Sequence, residues 1–191
     1  MLDTSLFEKA LGFALEAHRG QSRKRSNTPY LLHPMEAATI VATMTDDQEV
    51  IAAALLHDTV EDTDVTIEQI EENFGPRIKE LVASETENKY PEKSSIETWK
   101  MRKEESIKVL KETDNINIKI LWLGDKLSNM RSFYRLYREK GDSLWKRFHQ
   151  EDPKEQKWYY TEIEDALSDL EGTAALQEYS VLLTMVFKNV E

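Results

Sequence analysis

Four titratable side chains directly follow an apolar run near the middle of the chain. Residues 51–56 are all apolar, and they lead into His57, Asp58, Glu61 and Asp62. Burying such groups at a helix end is costly unless each finds a hydrogen-bonding group or an ion. Residues four apart share a helix face, so a continuous helix would place Glu61 over His57. It would place Asp62 over Asp58 in the same way. Adjacent imidazole and carboxylate groups suit a divalent cation, and a second carboxylate pair suits the handling of its water.

Two other residues could complete such a site. His33 directly precedes a proline at a predicted helix start, where a histidine has no capping value, and Asp125 follows an apolar run at residues 120–123. Taken singly, the His57–Asp58 pair reads as a helix-end hydrogen bond and Asp125 as half of a salt bridge. Together they supply two imidazoles and two carboxylates from three helical segments. This set leaves positions open for water, and its mixed nitrogen and oxygen ligation favours manganese, iron or zinc over calcium.

Helix signals recur along the chain and predict an all-α fold. The sequence contains only 6 glycines and 5 prolines. The segments Ser5-x-x-Glu8, Thr45-x-x-Gln48 and Thr66-x-x-Gln69 match the capping box, in which Ser or Thr is followed three residues later by Glu or Gln. We expect the second box to begin a central helix that runs to about Asp58. Pro34 should occupy the first position of the helix before it.

The chain shows no linker that would divide it into two cores. We therefore expect residues 1–191 to form a single compact domain of roughly eight to ten helices. Its core should lie within about residues 5–135, and helices in residues 142–191 should pack on that core. The aromatic residues of this C-terminal part are most simply core packing and a lid.

Composition excludes several classes of protein. The net charge of −11 argues against general binding to nucleic acid or to an anionic membrane. No run of about 18 apolar residues predicts a membrane span, and the first residues lack a signal-peptide pattern. The absence of cysteine excludes disulfides and thiolate metal sites. We expect a cytoplasmic protein with a small-molecule ligand, and the sequence leaves a homo-oligomer open.

The densest basic cluster in this acidic chain is Arg23-Lys24-Arg25. Such a triplet is usually part of a solvated loop. Because it lies between His18 and His33, it would instead lie over the metal site, where it could hold an aromatic base or phosphate groups.

Four separated motifs follow one another along the chain. They are His18-x-Gly-Gln21-x-Arg23-Lys24, Pro29-Tyr30-x-x-His33-Pro34, His57-Asp58-Thr59-Val60-Glu61-Asp62-Thr63 and Asp125-Lys126-Leu127-x-Asn129-Met130-Arg131. In this order they resemble the hydrolase domain of RelA/SpoT-type stringent-response proteins, and above all the small stand-alone alarmone hydrolases. The likeness covers about residues 5–135.

This resemblance implies an HD-superfamily helical fold that hydrolyses (p)ppGpp to GDP or GTP and pyrophosphate by means of a metal-activated water. It implies one manganese ion held by His33, His57, Asp58 and Asp125. Glu61 and Asp62 match the acidic pair that acts on the water. The implied nucleotide contacts are Arg23, Lys24, Asn129 and Ser132.

Three segments depart from the pattern of that family. The loop at residues 25–28 lacks the usual glycine, residues 83–89 replace a common Gly-Val-Thr-Lys, and residues 122–124 read Trp-Leu-Gly instead of Lys-Leu-Ala. These changes bear on guanine recognition more than on the metal. Two alternatives therefore stay open. One is an HD phosphohydrolase acting on a 2′-phosphorylated dinucleotide or a nucleoside monophosphate. The other is a non-catalytic nucleotide sensor, against which the intact Glu61–Asp62 pair argues.

Overall fold

The structure is a computed structural model that describes residues 3–23, 26–88, 90 and 92–190. Within these residues it contains ten α-helices, two short 3-10 helices and no β-strand, which confirms the predicted all-α fold. The 3-10 helices span Gly141–Arg147 and Ser168–Leu170. The α-helices are α1 (Ser5–Ala17), α2 (Leu32–Val41), α3 (Gln48–Leu56), α4 (Thr59–Asp62), α5 (Ile67–Phe74), α6 (Pro76–Glu85), α7 (Trp99–Glu112), α8 (Ile116–Lys140), α9 (Pro153–Ala166) and α10 (Ala174–Val186). Among these helices, none combines the length and the apolar character that a bilayer span requires.

The 25-residue helix α8 is the element on which much of the protein packs. Residues 118–125 of α8 are all buried, and α2, α3, α6 and α10 pack against this helix. A helical segment that is buried around its whole circumference needs neighbours on every side, which agrees with its central place. The consequence for function is that Asp125, in the middle of α8, is carried into the interior and is only 4% exposed.

Gly124 allows α8 to approach α2 closely. A Cβ atom at this position would lie 2.6 Å from Cγ2 of Val41 and 3.0 Å from the carbonyl oxygen of Ala37. Even an alanine would therefore force the two helices to shift. Since α2 carries His33 and α8 carries Asp125, this contact sets how near the two side chains come.

The C-terminal helices contact the rest of the protein through polar as well as apolar groups. The guanidinium of Arg131 on α8 donates two hydrogen bonds of 2.7 Å to the carboxylate of Glu178 on α10. The hydroxyl of Tyr179 donates to the carbonyl oxygen of Tyr160 at 2.8 Å and joins α10 to α9. Such two-point bonds between charged groups fix the relative orientation of the helices they join.

The central helix begins and ends at other residues than the sequence predicts. Helix α3 starts after Asp47, whose carboxylate accepts a hydrogen bond of 3.0 Å from the backbone nitrogen of Glu49, so the predicted Thr45 cap is wrong. The helix ends at Leu56, one residue before His57. The hydroxyl of Thr59 donates to the Leu56 carbonyl at 2.7 Å. This bond satisfies a carbonyl group at the helix end and helps the chain to turn into α4.

The predicted helix starts elsewhere are right in part. The Thr66–Gln69 capping box is present at the start of α5, with both of its hydrogen bonds. At α1 the cap is Thr4, whose hydroxyl bonds to the side chain of Glu8 at 2.7 Å, so the predicted Ser5 cap is wrong. Helix α2 begins at Leu32, two residues before the proline that we expected in its first position.

Candidate metal centre

Three parts of the fold bring together the four predicted metal ligands. His33 lies in the first turn of α2, His57 and Asp58 form the link between α3 and α4, and Asp125 lies in the middle of α8. Both histidines and Asp125 are at most 5% exposed. The sequence had predicted His57 and Asp58 within one continuous helix, and the turn between α3 and α4 replaces that arrangement. The turn directs both side chains toward the same point.

The donor atoms of these four residues lie within a few ångströms of one another. Nε2 of His33 is 3.0 Å from Oδ1 of Asp125 and 3.5 Å from Oδ2 of Asp58. Nε2 of His57 is 3.2 Å from Oδ2 of Asp58 and 3.6 Å from Oδ1 of Asp125. Ligands that each stand about 2.0–2.2 Å from a cation are themselves about 3 Å apart when adjacent. The spacing therefore fits a single divalent cation.

Hydrogen bonds on the far side of each imidazole leave its Nε2 atom available. Nδ1 of His57 lies 2.8 Å from the carbonyl oxygen of Ala54, so this nitrogen carries the proton. Nδ1 of His33 lies 2.9 Å from Oγ of Ser128, and that hydroxyl donates its own proton to Glu36 at 2.8 Å. His33 must then donate to Ser128. Such bonds fix the tautomer and the ring orientation of metal ligands.

The electrostatics of the centre also suit a bound cation. Nε2 of His57 is buried and has no hydrogen-bond partner among the described residues. Burial alone would raise the pKa of Asp58, but the adjacent His57 and His33 hold that pKa well below its usual range. Burial would likewise raise the pKa of Asp125, and Lys126 together with the two histidines lowers it instead. The positive charge that keeps these two buried carboxylates ionised comes from Lys126 and the protonated imidazoles, and a bound metal ion would replace the imidazole protons.

Tyr30 connects a predicted metal ligand to a predicted catalytic acid. Its hydroxyl oxygen lies 2.6 Å from Oδ2 of Asp58 and 2.7 Å from Oδ2 of Asp62. Because a hydroxyl has one proton, it donates to one carboxylate at a time or shares the proton between both. Burial and the charges of the two aspartates raise the pKa of Tyr30 far above its usual value, so the phenol stays protonated. Tyr30 therefore holds these two carboxylates in a fixed relation.

Glu61, the other predicted catalytic acid, has a strongly perturbed environment. It lies in α4 and is partly buried. Burial, together with the negative charges of Glu87, Asp58 and Asp62, raises the pKa of Glu61 to about 7. A carboxylate with such a pKa can accept a proton near neutral pH more effectively than an ordinary glutamate.

A cavity of about 540 Å³ opens beside the predicted ligands and catalytic acids. His33, Glu61 and Asp62 line it, together with the predicted substrate contacts Arg23, Asn129 and Ser132. Its volume falls within the range of small-molecule sites. The other predicted substrate contact, Lys24, lies outside the described residues. Aromatic residues of the C-terminal part, including Phe148, Tyr159 and Tyr160, form another part of the lining.

The three described substrate contacts are themselves held by hydrogen bonds. The amide nitrogen of Asn129 donates to Oδ1 of Asp125 at 2.7 Å, and its amide oxygen accepts from Arg23 at 3.3 Å. The hydroxyl of Ser132 accepts a bond of 2.9 Å from Arg135, which also lines the cavity. Asn129 thus links the basic loop to the predicted metal ligand on α8.

Sequence reasoning missed two positively charged residues of the cavity. Arg102 and Lys103 on α7 both line it, and both form ion pairs with Glu87. Their side chains are mostly buried, at 13% and 19% exposure. In the sequence they belong to a strongly charged helix, where nothing distinguishes them from solvated neighbours such as Lys108.

Glu85, the last residue of α6, was also missed as a site residue. It is 8% exposed and lies with His57 and Asp125 in a group whose ligand atoms are all within 4.8 Å of one another. Burial raises the pKa of Glu85 to about 8, although the charge of Lys126 opposes this. A signal did exist in the sequence, because Glu85 falls on the same helical face as Ile78, Leu81 and Val82, all of which are buried.

Comparisons with known proteins agree with this geometry. The family model described as the HD domain matches residues 10–150 of the chain. A GTP pyrophosphokinase of Brucella melitensis is 37% identical over 134 residues, which are 69% of this chain and 17% of that protein. A guanosine-3′,5′-bis(diphosphate) 3′-pyrophosphohydrolase of Aquifex aeolicus is 34% identical over 139 residues, which are 73% of this chain and 19% of that protein. The chain thus spans less than a fifth of the length of these curated relatives.

Two solved structures match over nearly their whole length. One is described as a metazoan ortholog of SpoT that hydrolyses ppGpp and plays a role in starvation responses. It has a TM-score of 0.73 and 27% identity, and covers 98% of this chain and 97% of its own. The other is a crystal structure of a Listeria monocytogenes protein, with a TM-score of 0.71 and 34% identity over 84% of this chain and 97% of its own.

The chain belongs to the HD domain family. The predicted likeness to RelA/SpoT-type proteins is confirmed by the relatives and by the first of the two structures. HD hydrolases use a divalent metal, and the chain provides candidate ligand groups for one.

Proposed function

We propose that this protein is a metal-dependent phosphohydrolase that converts (p)ppGpp to GDP or GTP and pyrophosphate. The observation that carries the proposal is the convergence of the Nε2 atoms of His33 and His57 with Asp58 and Asp125 beside a nucleotide-sized cavity. The names of the Aquifex relative and of the metazoan structure supply the substrate. We further propose Mn²⁺ as the ion, because mixed nitrogen and oxygen ligation suits it.

The four proposed ligands fit a divalent cation because their donor atoms are close together and mostly buried, and because Nε2 of His57 has no hydrogen-bond partner among the described residues. When bound, the cation supplies Lewis acidity and lowers the pKa of water. His33 and His57 offer it neutral nitrogen atoms, since each ring donates its Nδ1 proton to Ser128 or Ala54. Asp58 and Asp125 offset its charge.

Glu61 and Asp62 act on the attacking water in this proposal. Glu61, with a pKa of about 7, takes the proton of the water as it attacks the phosphorus bound to the ribose 3′ oxygen. Asp62, held by the hydroxyl of Tyr30, orients that water. The bond between phosphorus and the 3′ oxygen breaks, pyrophosphate leaves, and the 3′ hydroxyl is regenerated by protonation.

Positively charged side chains of the cavity hold the phosphates. Arg23, Arg102 and Lys103 line the cavity and offer charge-assisted hydrogen bonds to phosphate oxygens. We assign Arg23 and Lys24 to the nucleotide, with Asn129 and Ser132 as further contacts. We also propose that residues 1–191 form one domain, because the aromatic C-terminal residues Tyr159 and Tyr160 line the same cavity as His33, Glu61 and Asp62.

The test is to incubate the metal-free protein with ppGpp, with and without added Mn²⁺, and to separate the products by ion-exchange chromatography. We expect equimolar GDP and pyrophosphate with Mn²⁺, and no reaction in excess EDTA. A nucleoside monophosphate and a 2′-phosphorylated dinucleotide, assayed in parallel, should be turned over far more slowly. Release of orthophosphate alone, or preference for either of these substrates, would contradict the assignment.

A further inference from the structure

The carboxylate of Glu85 is unusual among the buried charged groups of this protein. The residue is 8% exposed, and its Oε1 atom has no hydrogen-bond partner among the described residues. A buried carboxyl oxygen that is left without a hydrogen bond destabilises the folded protein. The last turn of α6 nevertheless places this group against the metal centre rather than in solvent.

Two groups of candidate ligand atoms share His57. His33, His57 and Asp58 form one, and His57, Glu85 and Asp125 form the other, with the ligand atoms of each group within 4.8 Å of one another. Nδ1 of His57 is engaged with the Ala54 carbonyl, so only Nε2 can bind a metal. An imidazole nitrogen has one lone pair and binds one cation. The two groups must therefore describe one centre, not two.

We infer that Glu85 is a fifth protein ligand of this single metal ion. The inference rests on the proposed metal centre and adds a ligand to it. Lys126 does not remove the need for a cation at Glu85, because its ammonium group is paired with Oδ2 of Asp125 and lies 4.5 Å from the centre of the Trp122 ring. With Glu85 included, the ligands come from α2, the link between α3 and α4, the end of α6, and α8.

A fifth ligand changes which ions the site prefers. Zn²⁺ is usually four-coordinate, whereas Mn²⁺ prefers six ligands rich in oxygen. Five protein ligands would leave one position of a six-coordinate ion for solvent. Glu85 should therefore favour Mn²⁺ over Zn²⁺.

The experiment compares the metal-free wild-type protein with Glu85→Gln and Glu80→Gln. Glu80 is an exposed carboxylate on the same helix and serves as the matched control. Dissociation constants for Mn²⁺ and Zn²⁺ are measured by equilibrium dialysis, and the Tm is recorded with and without each metal. We expect Glu85→Gln to weaken Mn²⁺ binding at least 10- to 100-fold, the loss that removing a mere outer-shell partner of a metal ligand causes. Zn²⁺ binding should weaken less, and Glu80→Gln should bind both ions as the wild type does.

The outcomes separate this inference from the proposed function. If the wild type binds Mn²⁺ and Glu85→Gln binds it equally well, the fifth ligand is wrong and the four-ligand centre survives. If the wild type binds no divalent metal, both are wrong. Should Glu85→Gln fail to fold, a crystal of the wild type soaked with Mn²⁺ decides the question. Anomalous scattering should place the ion about 2.0–2.2 Å from a Glu85 oxygen, and a separation beyond about 3 Å would overturn the inference.

Discussion

The candidate metal centre lies beside the cavity that the positive charges of α7 line, but the two regions are held in opposite ways. At the candidate metal centre the polar groups are under-satisfied, since Nε2 of His57 is buried and has no hydrogen-bond partner among the described residues, while Nδ1 is fixed by a carbonyl. On α7 each charge already has a partner, because Arg102 and Lys103 both pair with Glu87. The first region is arranged for an ion to enter. The second is only partly neutralised, because one carboxylate faces two cations, and a phosphate that replaces this carboxylate would favour ligands with several negative charges.

The largest effect should follow from Asp125→Ala, which removes a proposed ligand from the candidate metal centre. We expect the metal affinity to fall by more than the 10- to 100-fold that loss of an outer-shell partner costs, with no detectable turnover. Metal content by mass spectrometry and pyrophosphate release measure the two effects. Asp142→Ala, which changes an exposed aspartate, should alter neither. A metal-loaded Asp125→Ala protein would show that this region does not depend on Asp125.

Glu61→Gln should separate metal binding from chemistry. The variant should bind metal as tightly as the wild type, while kcat falls about 10²- to 10⁴-fold, the usual contribution of a general base. In the wild type, kcat should rise with pH through about 7, where the Glu61 carboxyl loses its proton. Glu68→Gln, on an exposed face of α5, is the control. Retained turnover in Glu61→Gln would remove the role that we give to this residue.

Lys103→Met tests the role of the positive charges on α7. Loss of one charge-assisted hydrogen bond to a phosphate costs about 1.5–3 kcal/mol, or roughly 10- to 150-fold in KM. Metal content should not change, because Lys103 is paired with Glu87 and not with a metal ligand. The matched control is Lys108→Met, which alters an exposed lysine of the same helix. If KM stays constant and metal is lost, the two regions are not separate in function.

The smallest effect concerns stability in the metal-free protein. Burial raises the pKa of Glu61 from the ordinary 4.5 to about 7, so the folded state binds more protons than the unfolded state between these values. The free energy of unfolding should therefore fall as the pH rises from about 4.5 to about 7. Glu61→Gln should lose that part of the pH dependence. Urea denaturation of both proteins in EDTA at pH 5 and pH 8 gives the free energy of unfolding at each pH. An identical change between the two pH values in both proteins would contradict the prediction.

The sequence predicted which residues converge at the candidate metal centre better than it predicted the cavity lining. His33 lies in the first turn of an apolar helix, His57 and Asp58 follow one, and Asp125 interrupts one, so local pattern alone places them at the edge of a core. The exact turn between α3 and α4 could not be predicted, because it depends on the hydroxyl of Thr59 bonding back to Leu56. The same residues are compatible with a continuous helix and with a helix that breaks at His57.

The α7 side of the cavity depends on contacts between residues that are distant in the sequence. Glu87 forms its ion pairs only when the folded chain brings it to Arg102 and Lys103. The segment 83–89, which departs from the family pattern, supplies both this carboxylate and Glu85. A single sequence shows such a segment only as polar and charged. Its position relative to α3 and α8 is set by packing.

The close approach at Gly124 has a consequence for the choice of ion. Because a hydrogen atom stands where a methyl group would strike Val41 and the Ala37 backbone, the two helices that carry His33 and Asp125 sit at a spacing that no other residue permits without adjustment. The distance between Nε2 of His33 and Oδ1 of Asp125 thus depends on Gly124, which is not itself a proposed ligand. In the proposed metal centre, the separation of the α2 and α8 backbones therefore limits which ionic radii can be accommodated.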